Sequence, residues 1–323
     1  MKKALKVLGY IFLVIIILVT GSITYAKFVL PSVGDAPNLK VDITPERVER
    51  GKYLANAVAV CMDCHSTRDW SKFAGPMAPG SLGKGGDRFG SEMGIPGTVH
   101  IKNITPYNLA TWTDGEIYRA ITTGVTKSGD VIFPIMPYKS YAQMDPEDVY
   151  DIIAYLRSLP AVPNEVPTST LDFPVNFIIR TVPSAANPMS KPSQQDTVAW
   201  GKYLTTISAC NDCHNTMKGN DPIPGMAFAG GRTFPMPCGN VQASNITPAN
   251  SGIKNWTREM FIARFKAYAD SSYQSPTLTP QDFNTPMPWM MLSKMSEEDL
   301  GAIYTYLQTV PAVENKVTKL ATR

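Results

Sequence analysis

Two short clusters concentrate the chemistry of this 323-residue chain: Cys61-Met62-Asp63-Cys64-His65 and Cys210-Asn211-Asp212-Cys213-His214. Cysteines three apart on a helical turn face the same way. Such a pair can reach two points along one edge of a flat macrocycle, while the histidine next in sequence turns to its centre. C-x-x-C-H is the attachment signature of haem c. Cys61 and Cys64 are therefore expected to bind one haem through thioethers, with His65 as proximal ligand to its iron. Cys210, Cys213 and His214 are expected to hold a second. A zinc site wants four ligands, and only His100 and Cys238 remain, one in each half of the chain. A redox dithiol wants a βαβ setting, which the sequence does not show.

Each half offers a methionine beside a proline as the sixth ligand: Met136 in Phe133-Pro134-Ile135-Met136-Pro137-Tyr138 and Met287 in Thr285-Pro286-Met287-Pro288-Trp289. Prolines fix φ on either side, which stiffens the segment. A stiff thioether ligand keeps the coordination of the iron the same in both oxidation states, and His/Met ligation raises the potential. Most of the 15 methionines are expected to be core filler. These two stand out because they recur at the matching place. His100 aligns with Gln242 and is read as a loop residue near the first haem. Cys238 aligns with Pro96 and is read as a free, buried thiol; the alternative is an axial thiolate on the second haem. Asn103 and Asn245, each in an Asn-Ile-Thr-Pro turn, are expected to cap a loop on the propionate side. Trp112, Trp256, Tyr155 and Tyr306 are expected to pack on the haems.

The elements that must position these groups occur twice, about 150 residues apart. Gly51-Lys52-Tyr53-Leu54 returns as Gly201-Lys202-Tyr203-Leu204, Asn103-Ile104-Thr105-Pro106 as Asn245-Ile246-Thr247-Pro248, and Trp112-Thr113 as Trp256-Thr257. Tyr155-Leu156 with Pro160-Ala161-Val162 returns as Tyr306-Leu307 with Pro311-Ala312-Val313. Thr44-Pro45 predicts a helix start running towards Cys61. Thr113 with Glu116 predicts a capping box on a helix that ends near Gly124. Asp145 opens a third helix that Pro160 stops, and Ser296 with Asp299 opens its counterpart. Strand-like alternation is weak throughout, so the expected fold is all-α: two tandem domains, at 44–162 and 196–315, after an N-terminal helix at 1–30, with a linker at 163–195 rich in Pro, Ser and Thr. The apolar stretch 171–179 in that linker is expected to pack against one domain. The glycine-rich stretch 75–97 lacks a preceding strand and a Lys-Ser/Thr ending, so it reads as a long loop over a cofactor edge, not a phosphate loop.

Lys2, Lys3 and Lys6 precede an uncharged run over residues 7–26. Twenty helical residues rise about 30 Å, the thickness of a bilayer's hydrocarbon core. The lysines should stay cytoplasmic, which sends the rest of the chain outside. An uncleaved single-pass anchor in a bacterial inner membrane, with the haem domains on the periplasmic side, is expected over a cleaved signal peptide, because Thr24-Tyr25-Ala26 is a poor cleavage site. The formal net charge of +3 comes from this terminus, and the remainder is close to neutral. No basic face for nucleic acid is implied.

The motif order Gly-Lys-Tyr-Leu, Cys-x-x-Cys-His, Asn-Ile-Thr-Pro, Trp-Thr, Met-Pro-aromatic, Tyr-Leu resembles that of the multihaem cytochrome c subunits of membrane-bound bacterial alcohol, aldehyde and gluconate dehydrogenases, and of dihaem class I cytochromes c more widely. The resemblance covers most of the chain after Pro45. It implies His65 and Met136 as axial ligands in one domain, His214 and Met287 in the other, and first and last helices that cross in each. This chain has two copies where those subunits usually carry three. The expected function is transfer of single electrons from a dehydrogenase or quinol-linked donor to an oxidase or small soluble carrier, as a carrier or complex subunit more than as a stand-alone enzyme. The alternative is a dihaem redox enzyme of thiosulfate-oxidising or peroxidase type that uses Cys238.

Overall fold

The computed structural model describes residues 2–219 and 221–321. Helix α1 (Lys2–Phe28) is 27 residues long and buries none of them. It is long and apolar enough to cross a membrane.

The first repeat opens with α2 (Pro45–Tyr53), capped by the Thr44 side chain with Pro45 in its first turn. The helix continues as a π-helical turn, Leu54–Val58, and a single turn, α3 (Cys61–Cys64), follows. Strands β1 (Arg88–Phe89) and β2 (Gly97–His100) form an antiparallel ribbon. Then come α4 (Pro106–Leu109) and α5 (Asp114–Thr123), whose start has both halves of the Thr113–Glu116 capping box and whose end is Gly124 at φ +72°. The repeat closes with α6 (Tyr138–Tyr141) and α7 (Pro146–Ser158), capped by Asp145. In the linker, β3 (Thr170–Leu171) pairs with β2, and α8 (Val175–Ile178) follows.

The second repeat runs α9 (Thr197–Ile207), α10 (Cys210–Cys213), a small hairpin of β4 (Met217–Lys218) and β5 (Asp221–Pro222), then β6 (Thr233–Met236) paired with β7 (Gly239–Gln242). It continues through α11 (Arg258–Lys266), α12 (Trp289–Leu292) and α13 (Glu297–Leu307) to β8 (Leu320–Ala321), which joins β7.

The fold is mainly helical, but the all-α expectation needs correction. Each repeat carries a three-stranded antiparallel sheet, β1-β2-β3 or β6-β7-β8, at matching places. The strands are two to four residues long, too short for alternation to register in the sequence. The stretch 75–97, read as one loop, therefore ends in β1 and the start of β2. The linker segment divides: Leu171 joins the sheet of the first repeat, while α8 packs against α1.

The repeated Gly-Lys-Tyr-Leu motif has a structural cause. In each repeat the first and last helices cross, α2 on α7 and α9 on α13, with the glycine at the crossing. A Cβ on Gly51 would lie 1.8 Å from the Asp151 carbonyl oxygen, and one on Gly201 1.9 Å from that of Ala302. The tyrosine of the motif serves the other repeat. The Tyr53 hydroxyl accepts the Ser296 amide (3.0 Å) and donates to Asp299 (2.5 Å), at the start of α13. The Tyr203 hydroxyl accepts the Asp145 amide (3.1 Å) and donates to Asp148 (2.7 Å), at the start of α7. Helix α6 packs on α9, and α12 packs on the π-turn after α2, so the contact between repeats is two-fold in pattern. The main apolar core is accordingly one cluster, with Leu54, Val58, Ile152 and Ile153 from the first repeat and Leu204, Ile207, Leu300 and Leu307 from the second.

Candidate functional site

Both Cys-x-x-Cys-His segments adopt the same local structure. Each starts from a residue in the left-handed region, Val60 at φ +46° and Ala209 at φ +53°. For a β-branched valine this is a costly conformation, about 1–3 kcal/mol, of the kind that clusters at functional sites. One helical turn follows, and it ends at the histidine.

Each imidazole is held the same way. His65 Nδ1 lies 2.7 Å from the Lys102 carbonyl oxygen, and His214 Nδ1 lies 2.7 Å from that of Ser244. A carbonyl only accepts, so Nδ1 carries the proton and Nε2 keeps its lone pair for a metal. Burial lowers the pKa of both rings, which favours the neutral, ligating form. The histidine backbone is pinned as well: the Gly85 amide donates to the His65 carbonyl (2.9 Å), and Gly230 does the same for His214 (3.0 Å). Gly85 has φ +64° and Gly230 φ +73°, and a Cβ at either would strike the backbone just before Asn103 or Asn245.

That backbone is the Asn-Ile-Thr-Pro turn. Asn103 is buried, accepts from the Thr105 amide (2.9 Å) and hydroxyl (2.7 Å), and donates to the Val162 carbonyl (2.9 Å). Asn245 repeats this with Thr247 and Val313. Asn164 and Asn315, which the sequence reading passed over, donate to the Lys84 and Ala229 carbonyls and tie the post-helix segment to the pinning glycine. Their signal was present: an asparagine stands at the same distance after each Pro-Ala-Val.

Burial pushes the Cys61, Cys64 and Cys210 thiols up to about 12 and also raises Cys213. None of the four is in a disulfide. They are neutral thiols, unlike the low-pKa cysteines of a reactive dithiol. Among the described residues no three His, Cys, Asp or Glu side chains converge as ligands of one ion. Two free thiols per motif and an imidazole whose Nε2 lone pair is left open are the donors that a macrocycle held at its edge and ligated at its centre would take. The residues fit the haem expected from the sequence.

Met136 and Met287 are partly buried at the edge of the main core. Each carbonyl accepts from the amide two residues on, in Tyr138 or Trp289, at 2.8 Å. The Met287 amide donates to the Thr285 hydroxyl (3.2 Å), and the Thr285 amide to the Asn284 side chain (2.8 Å). Buried Asn284 also accepts the Ala74 amide of the first repeat (2.8 Å). The segment before Met287 is thus anchored to the loop that follows the first Cys-x-x-Cys-His.

The two motifs meet where the repeats touch. Tyr141 is buried, donates to the Ala59 carbonyl (2.6 Å), and is held well above its usual pKa by burial, then by Cys61, Cys64, Asp212 and Asp63. Asp212 accepts from Ser140 of the first repeat (3.3 Å), and Asp63 pairs with Arg68 (2.7 Å).

His100 ends strand β2, as Gln242 ends β7, so it lies in a strand and not in a loop. Cys238 is free and half-buried in the β6–β7 turn, where Pro96 stands in the first repeat; it is less enclosed than expected. Trp112, Trp256 and Tyr306 pack on the main core, and Tyr155 lies within it, its hydroxyl accepting from Asn56 (3.0 Å).

These features mark the chain as similar to cytochrome c proteins, and comparison with known sequences finds that likeness along most of its length. It is 26% identical over 94% of its length to the gluconate 2-dehydrogenase cytochrome c subunit of Pantoea cypripedii, and 28% identical over 82% to the fructose dehydrogenase cytochrome subunit of Gluconobacter japonicus. It spans 66% and 53% of those two proteins. A diheme cytochrome c-type protein of Cereibacter sphaeroides is 27% identical over 86% of this chain, which covers 90% of that protein. No protein-family model matches the chain. The similarities support electron transfer by a cytochrome.

Proposed function

We propose that this chain is a dihaem cytochrome c that passes single electrons, with one haem per domain in the two repeats. The observation that carries the reading is the pair of identical cradles: Cys-x-x-Cys after a left-handed residue, an imidazole whose Nδ1 proton is fixed on a carbonyl, and a glycine amide on the histidine carbonyl. A bound haem supplies reversible one-electron chemistry at its iron. Cys61 and Cys64 would hold the first through thioethers, and His65 and Met136 would be the ligands to its iron. Cys210, Cys213, His214 and Met287 would hold the second. The carbonyls of Lys102 and Ser244 keep each imidazole in one tautomer and orientation, which limits rearrangement when the charge changes.

The motifs adjoin across the contact between repeats, which favours exchange between the two sites within one molecule. Helix α1 would anchor the chain in the cytoplasmic membrane with both sites on the periplasmic side. Two of the similar proteins are named as dehydrogenase subunits, which supports a dehydrogenase as donor; an oxidase or small carrier would be the acceptor.

Spectroelectrochemical titration of the purified chain tests this. Two one-electron waves in the range of His/Met haems are expected. Met136→His should lower one potential and leave the other nearly unchanged, and Met287→His should do the converse. Equal movement of both waves in either variant would refute the assignment of ligands to separate sites.

A further inference from the structure

We propose that the linker segment around α8 is a second membrane contact, seated in the headgroup layer of the bilayer that α1 spans, and that it sets the orientation of the first repeat on the membrane. This rests on the anchor reading of α1.

The argument starts at the outer end of α1. The uncharged run closes at Ala26, and Lys27 is the first charge after it. The last carbonyls of any helix lack intrahelical donors and need partners from elsewhere. Here Arg180 supplies one for α1 and one for the segment after it: its Nε lies 2.8 Å from the Ala26 carbonyl oxygen and 2.9 Å from that of Leu30, and its Nη2 2.5 Å from Leu30. This bond set spans 150 residues of sequence and places the guanidinium at the level where the helix leaves the hydrocarbon.

Two apolar side chains of the segment before Arg180 face outward. Phe173, just before α8, is 78% exposed, Ile178, its last residue, is 55% exposed, and α8 packs on α1. Phe28, at the end of α1, is 75% exposed. In water these side chains would be costly to leave open. At the boundary of headgroups and acyl chains they are in the setting that aromatic residues and amphipathic segments favour. Continuity with the wholly exposed apolar surface of α1 selects lipid as the occupant.

The contact is also rigidly tied to the first repeat. Thr170 and Leu171 pair with Thr98 and Gly97 of β2, and Gly97, at φ +119°, lets the strands meet where a Cβ would lie 2.3 Å from the Thr170 carbonyl oxygen. The Asp172 amide donates to the Pro96 carbonyl (3.1 Å). Between membrane and haem site there is thus a strand pairing, not a free linker.

The test uses the full-length, haem-loaded chain in nanodiscs of phosphatidylethanolamine and phosphatidylglycerol. A benzophenone amino acid is placed in turn at position 173, at 178, and at the exposed Met260 position on α11, and adducts are read by mass spectrometry after illumination. Lipid adducts are expected at 173 and 178 in about tenfold excess over 260, because only the first two sit at the boundary of headgroups and acyl chains. Adding Arg180→Gln should reduce them. An intact chain retained in nanodiscs with no such excess, or with adducts to a second copy of the chain at 173 and 178, overturns the proposal and leaves the anchor reading standing. A mature chain whose mass lacks the N-terminal run overturns both.

Discussion

The imidazoles of His65 and His214 are oriented by backbone carbonyls, and that decides what a substitution can reveal. Lys102 and Ser244 supply those carbonyls, so replacing their side chains should change little. The sensitive residues are Asn103 and Asn245, which shape the turn carrying each carbonyl. Asn103→Ala should lower stability by about 1–3 kcal/mol, the usual cost of orphaning buried polar groups, and shift one redox wave only; Asn245→Ala should shift the other. Thermal denaturation and redox titration check this, and a variant that moves both waves alike would contradict it. The Cys-x-x-Cys-His and Met-Pro segments were legible in the sequence because they recur as patterns of side-chain type. The pinning glycines and accepting carbonyls were not, since a carbonyl can come from any residue type and Lys102 and Ser244 share no side-chain chemistry.

At the scale of elements, helix starts carried their own signals. Thr44, Thr113, Asp145 and Ser296 each cap the helix that follows, as expected from their side chains and the acids or prolines behind them. The short sheets carried no such signal, because their side-chain pattern is too brief to show a period. The crossing glycines explain a repeated motif whose role was unreadable from sequence. Gly51→Ala should destabilise the chain by about 3 kcal/mol, because the new methyl meets backbone and not a movable side chain, and Gly201→Ala should do the same. Denaturant unfolding of the haem-loaded protein measures it. A loss under about 0.5 kcal/mol in either variant, the size of an ordinary surface change, would show that the helices can part without cost.

For the whole molecule, the two repeats are one packed body latched by reciprocal tyrosines. Asp148, fully buried, is pushed up by burial, but Arg50, Lys191 and Tyr203 outweigh that and leave its pKa below the usual carboxylate range. A carboxylate with a depressed folded pKa stabilises above its unfolded pKa of about 4, and the contribution is lost as pH falls through the folded value. Asp148→Asn should therefore cost about 1–3 kcal/mol near neutral pH and converge with the unaltered chain at strongly acidic pH. A difference that grows on acidification would contradict the assignment. Tyr203→Phe should weaken the same latch without touching either haem ligand, and intramolecular exchange between the two sites should slow if the repeats separate.

The most direct test of the central claim is the intact mass of the denatured, mature protein from a host competent in haem c maturation. Two covalently attached haems should add to the polypeptide mass, and Cys61→Ala with Cys64→Ala should remove one while Cys210→Ala with Cys213→Ala removes the other. A denatured chain with the mass of bare polypeptide would contradict the account at its root.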